Sequence, residues 1–236
     1  MEGELGLRER KKLRTRQLIA ETAQRMFAEY GFDAVPVAAV ARVAEVSEAT
    51  VFNYFPTKED LVFQGMEAFE AQLLDAVRDR PVGEPVLAAF GRFVLQPRGV
   101  LAAQDQDGAH YLAGVARMIA ASPALQARQR EIFARYTAAL AALLAEDTGA
   151  APDDLRPWVV AHALIGTHQA LIGFVHRRLV DGSTEHARLP RDVRGQGQRA
   201  LKLLEEGLAG YGLKTGTEVV TKRVSTPRPS VSSSSR

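Results

Sequence analysis

From about residue 16 to residue 211, apolar residues recur at steps of three and four, and no convincing period-2 alternation breaks that rhythm. A chain patterned this way can bury its apolar stripes only by packing helix on helix, so an all-α fold is expected. The 236 residues suit one ordinary domain or two small ones, and a hydrophobic content of 46% is ample for a core. No stretch approaches ~18 uninterrupted apolar residues, and MEGELGLRERKKLRTR has no apolar run behind its charges. These features lead to the expectation of a cytoplasmic protein without a membrane span. Cysteine is absent, which removes disulfides, thiolate catalysis and cysteine-held metal sites.

Charge is unevenly distributed. The formal total is only +2, yet Arg8 to Arg16 alone carries +5 and Leu213 to Arg236 carries +4. Residues 1 to 212 sum to −2, so the basic character is local, and the cluster before residue 17 is the informative part.

The expected helices begin with Arg16 to Tyr30, where Leu18, Ile19, Ala23, Met26, Phe27 and Tyr30 form one stripe and Gly31 ends it. Two very short helices follow, Val37 to Ala44 behind Pro36 and Glu48 to Tyr54 behind Ser47 as N-cap. Val40, Val43, Val46 and Val51 are placed to pack them together. Pro56 then breaks the chain, Thr57 can cap, and one long helix is expected from Lys58 to about Arg80. Proline, glycine and serine punctuation divides the rest into helices at about 84–96, 99–104, 107–121, 123–147, 153–180 and 190–211. In the penultimate helix, Trp158, Ala161, Ile165, His168, Ile172, Val175 and Leu179 make a seam; in the last, Gly197, Leu201, Leu204, Leu208 and Tyr211 do. Such seams serve either a partner chain or the domain's own core, with the partner favoured because Gly166 and Gly173 would admit a second helix closely. Residues 213–236 are rich in Ser, Thr and Pro without periodicity and are expected to be disordered.

Two short helices joined by a tight turn, behind a scaffold helix and a basic arm, have the dimensions of a helix-turn-helix. The second helix must carry its first side chains into a major groove ~12 Å wide. The runs Gly31-Phe32-Asp33-Ala34, Val37-Ala38-Ala39-Val40-Ala41 and Val46-Ser47-Glu48-Ala49-Thr50-Val51-Phe52-Asn53-Tyr54-Phe55-Pro56-Thr57-Lys58-Glu59-Asp60-Leu61 closely resemble the N-terminal domain of TetR/AcrR-family transcriptional regulators. The match spans about residues 10–65. The resemblance implies a bacterial homodimer: a basic arm over 1–16, a three-helix DNA-binding domain over 17–63, and a larger helical domain over 64–212 that binds an effector and dimerises through helices 153–180 and 190–211. It further implies double-stranded DNA as partner, with a pseudo-palindromic operator released when a small organic effector binds. The family pattern sets Glu48, Ala49, Thr50, Phe52, Asn53 and Tyr54 near DNA and Lys58 on a phosphate.

This chain departs from the pattern in places. Val35-Pro36 stands where a phosphate-holding threonine is common, and Glu45 replaces the usual turn glycine, which demands another local conformation or strain. Phe52-Asn53 replaces Tyr-Tyr or Tyr-Trp, so Phe52 offers only apolar contact and Tyr54 must supply any hydroxyl. Asn53 is the only asparagine in the chain and its amide suits adenine or a phosphate, unless it merely solvates a helix end. Glu48 can accept from cytosine N4 or simply favour the helix dipole.

Candidate effector residues are Phe90, Phe93, His110, Met118, Phe133, His168 and Phe174, apolar side chains with a few polar groups of the kind that line ligand cavities. The segment Ala113 to Ala142 resembles family members with an acyl-CoA-like ligand domain, for which Arg117, Arg128 and Arg130 would meet phosphates. The five histidines contain no i, i+4 pair, so neither a metal nor any other cofactor is expected. No GxSxG, P-loop or GxGxxG is set between strand and helix, which argues against an enzyme. The competing expectation is a constitutive architectural DNA binder that needs no cavity.

Overall fold

Helix α1 (Leu7–Tyr30) starts nine residues before the expected Arg16, so Arg8 to Arg16 project from a helix instead of a loose arm. Ile19, Ala20, Ala23 and Phe27 are its buried edge, whereas Leu18 and Tyr30, expected on the same stripe, face solvent. Gly31, at φ 84°, ends it with its N–H on the Phe27 carbonyl. Helix α2 (Val37–Val43) follows Pro36 and α3 (Glu48–Tyr54) follows Ser47, whose Oγ accepts the Thr50 N–H at 3.0 Å. These N-termini lie where the caps predict. Val40 and Val51 are fully buried between them and Val46 is half-buried, but Val43, the last residue of α2, is exposed.

The computed structural model describes residues 6–98, 106–181 and 188–207. The helix expected at 99–104, Leu208, Tyr211 and residues 213–236 lie outside them. Beyond α3 the expected single helix from Lys58 to Arg80 is two pieces. A short 3-10 turn (Glu59–Leu61) comes first, and α4 (Met66–Arg78) begins after Gly65, which sits in the left-handed region at φ 84° and ψ −10°. Left-handed backbone cannot continue a right-handed helix, so the direction changes at Gly65.

The remaining described helices are α5 (Val86–Val94), α6 (Gln106–Ala121), α7 (Pro123–Thr148), α8 (Arg156–Val180) and α9 (Leu189–Glu206). Two apolar clusters hold them. The first gathers α1, α2 and α3 with Phe55, Leu61 and Val62, and Ile119 of α6 and Leu125 of α7 are buried inside it. The second stacks Leu73 and Val77 of α4, Phe90 and Phe93 of α5, Ile132, Phe133, Tyr136 and Leu140 of α7, and Ala161, Leu164 and Ile165 of α8. Arg80–Asp147 at 2.7 Å, Arg135–Glu70 at 2.9 Å and the Tyr136 hydroxyl on the Met66 carbonyl tie α4 to α7.

The two seams turn inward except at Trp158, which stays exposed. Ala161, Ile165 and Val175 are buried against the protein's own core, and Leu201 and Leu204 pack on the same cluster. At Gly197 a Cβ would come within 2.2 Å of Leu95 Cδ2, so the glycine lets α9 press onto its neighbours. The open side of α8 is instead Leu155, Trp158, Val159, His162 and Gly166; a Cβ on Gly166 would meet nothing within 4 Å. Although the chain has no unbroken apolar run of ~18 residues, α8 contains an 18-residue window of mean hydropathy 1.4, long and apolar enough to cross a membrane by composition. Ala161, Leu164, Ile165, Leu171 and Val175 of this helix are buried within the protein, while Trp158, Val159 and Val160 remain exposed.

Candidate DNA-reading surface and ligand cavity

The turn between α2 and α3 determines how α3 projects. Val46 donates to the Ala41 carbonyl at 3.0 Å and Glu45 to the Arg42 carbonyl at 3.3 Å, the paired bonds of a Schellman end. That closure needs a left-handed residue, and Glu45 supplies it at φ 53°, the only non-glycine residue with positive φ among those described. The strain foreseen at this position is present.

Helix α3 has seven residues, and only Val51 is fully buried. Glu48, Ala49, Phe52 and Asn53 are exposed together, while Thr50 and Tyr54 are half-buried. Phe52 is 44% exposed, so most of one ring face is open to an outside surface. Thr50 is engaged locally, its Oγ1 2.8 Å from Ser47 Oγ. At the other end Arg16 Nη1 donates to the Tyr54 carbonyl at 2.8 Å, and its guanidinium lies 4.6 Å from the centre of the Phe55 ring. One cation of the basic cluster therefore caps α3, a role that sequence spacing did not reveal because the partners are 38 residues apart. Lys58 rests its ammonium 4.3 Å from the centre of the Phe32 ring. Burial pushes its pKa down, with Asp33 and Glu59 acting in the opposite sense.

Below this reader, Thr57 and Asp60 cap each other: Thr57 N–H donates to Asp60 Oδ2 at 3.0 Å, and Asp60 N–H donates to Thr57 Oγ1 at 3.3 Å. The T-x-x-D spacing carries that signal. Asp60 Oδ1 also accepts from Arg128 Nε at 2.9 Å and Nη2 at 2.8 Å, joining the 3-10 turn to α7.

A cavity of about 360 Å³ lies beside this joint. Its walls are Val62, Phe63, Gln64 and Met66 of the connecting segment, Val94 and Arg98, Tyr111, Leu112, Val115 and Ile119 of α6, Gln129 and Phe133 of α7, five residues of α8 from His168 to His176, and Val193. His168 stacks on Phe69 with ring centres 4.7 Å apart and meets the edge of Phe133 at 6.1 Å. Burial lowers its pKa to about 4, so the imidazole is neutral at pH 7. Burial pushes the Tyr111 hydroxyl pKa up, with Gln24 of α1 acting in the opposite sense.

Of the seven residues proposed from sequence to bind an effector, Phe133 and His168 reach this cavity. Phe90 and Phe93 are buried in the second core. His110 and Met118 border a separate cavity of about 590 Å³ between α1 and α6, and Phe174 borders an arginine-lined groove between α8 and α9. Arg128 is committed to Asp60 and Glu131, Arg130 is exposed, and Arg117 borders the second cavity, so none of the three reaches the first. No group of three or more potential metal ligands occurs among the described residues.

Two family models match in sequence. That of the bacterial regulatory proteins of the tetR family covers residues 19–64, and that of the MftR C-terminal domain covers 84–208, more than half of the chain. The chain belongs to the TetR family of bacterial transcriptional regulators. Among its TetR-family relatives, the HTH-type transcriptional regulator TcmR of Streptomyces glaucescens is 31% identical over 160 residues, 64% of this chain and 69% of the relative. MftR of Mycobacterium tuberculosis is 27% identical over 172 residues, covering 71% and 81%. The crystal structure of a TetR-family protein from Syntrophomonas wolfei shares the fold at a TM-score of 0.54 and 18% identity, covering 85% of this chain and 99% of that one. The TetR fold thus comprises an N-terminal helix-turn-helix domain and a larger helical C-terminal domain, as the residue pattern implied.

Proposed function

We propose that the protein is a cytoplasmic, ligand-responsive transcriptional repressor that binds a pseudo-palindromic operator as a homodimer and is released by a small organic effector. The observation that carries this reading is the cavity of about 360 Å³ whose wall includes Val62 and Phe63, in the segment joining the reader to α4. A constitutive DNA binder has no use for such a space.

In this reading Glu48, Ala49, Phe52 and Asn53 face base edges, Thr50 and Tyr54 stand at the flanks, and Lys58 turns from the Phe32 ring to a phosphate. The dimer forms through the open face of α8 together with α9. An effector among Phe133, His168 and Tyr111 acts on the Gly65 bend and the Asp60–Arg128 pair, altering the separation of the two reading helices. Only a difference in its affinity for the two arrangements can drive release. An acyl-CoA-like effector would place its acyl part here, but its phosphates would need partners other than Arg117, Arg128 and Arg130.

In vitro selection of duplex DNA by the purified protein tests the reading. An inverted repeat is expected, with one symmetric pair of positions losing preference in Asn53→Ala. Selection of no common sequence would refute operator binding; an unchanged sequence in Asn53→Ala would remove Asn53 from base reading.

A further inference from the structure

Among the described residues lining the effector cavity there is no aspartate or glutamate, and the only permanent charge is the guanidinium of Arg98. Five other arginines of this half meet carboxylates: Arg80 with Asp147, Arg92 with Glu84, Arg128 with Asp60, Arg135 with Glu70 and Arg156 with Asp154. Arg98 is held differently. One terminal nitrogen donates to the Phe93 carbonyl, the other donates to Gln96 Oε1 at 3.1 Å, and the Phe93 ring lies 3.7 Å beneath the guanidinium carbon. Both acceptors are neutral, so they orient the group without cancelling its charge. Those contacts use two of the five N–H donors of a guanidinium. Burial disfavours the cation and lowers its pKa, with no compensating carboxylate among the described residues.

We propose that the cavity takes an organic monoanion, an apolar body ending in a single carboxylate, and that Arg98 recognises the charge. The proposal rests on reading this cavity as the effector site. Val94, Val115, Leu171 and Ile172 receive the body, and Arg98 at one side receives the carboxylate. A planar guanidinium already oriented on Phe93 loses little freedom in accepting a carboxylate. A cationic ligand would meet an uncompensated positive charge with no acid to balance it. A neutral alcohol or a thioester, whose charges lie far from its acyl end, gains only an ordinary hydrogen bond.

The test is calorimetric titration of the full chain with a matched series: straight-chain acids of six to fourteen carbons, and the alcohol, trimethylammonium and coenzyme A thioester of the ten-carbon chain. The best acid should bind about 10- to 100-fold more tightly than its alcohol, the range expected for a charge-assisted hydrogen bond over a neutral one. Arg98→Gln should abolish that preference by weakening the acid far more than the alcohol, whose loss stays within the few-fold worth of one neutral hydrogen bond; Arg98→Lys should retain a preference for the acid. Equal binding of acid, alcohol and ammonium, tighter binding of the thioester, or an undiminished preference in Arg98→Gln would overturn the monoanion and leave the effector cavity standing. Binding of none of these, whatever their charge, would refute the cavity itself as an effector site.

Discussion

At the scale of single residues, the structure marks two places where local stability is given up. Glu45 holds a left-handed conformation that costs a side chain ~1–2 kcal/mol. Glu45→Gly relieves it, though the freer unfolded chain returns part of the gain. A net stabilisation of about 0.5–1 kcal/mol is expected, seen as a melting temperature higher by ~1–4 °C; an unchanged or lower value would mean that the glutamate is not strained. His168 is the second place. Its folded pKa of about 4 is below its unfolded value, so the unfolded chain takes up a proton that the folded chain refuses. Stability supplied by the neutral imidazole is whole above pH 6.5 and drains away as pH falls towards 4, by up to about 3 kcal/mol. Denaturant titrations across that window should show a shallower loss in His168→Gln than in the parent; parallel curves would dismiss His168 as the cause.

At the scale of elements, Arg16 links one helix to another. By meeting the Tyr54 carbonyl and the Phe55 ring it places a cation at the C-terminus of a seven-residue helix too short to persist alone. Arg16→Ala should destabilise the fold by about 1–2 kcal/mol and hasten hydrogen exchange in α3 ahead of α1; uniform exchange would show that the cap is dispensable. The reader itself was legible in sequence because its determinants are adjacent: Pro36, Ser47 and Thr57 each begin an element where capping chemistry predicts. The break at Gly65 was not. Leu61, Val62, Met66 and Phe69 keep helical spacing straight through it, and only the left-handed backbone of Gly65 shows where the axis turns. The seams were legible only in part for a related reason: periodicity gives a stripe but not the body it faces, and most of these two stripes face the protein's own core. The cavity was least legible, since its walls come from segments spread between Val62 and Val193.

At the scale of the whole molecule, assembly and architecture meet on the open side of α8. Gly166 is exposed there with room for another backbone, among Leu155, Trp158 and Val159. Gly166→Arg should convert the proposed dimer to monomers in sedimentation velocity and weaken operator binding by at least tenfold, because one reading helix then binds without its twin. A dimer of unchanged mass would locate the interface elsewhere. Finally, Ile119 and Leu125 belong by chain position to the effector half but by burial to the reader's core. The two halves are therefore not interchangeable cassettes: a chimera that grafts this reader onto another effector half inherits a hole where those two side chains were. Any lineage that shuffled such readers would have had to carry Ile119 and Leu125 along, or refill their places from the new helix.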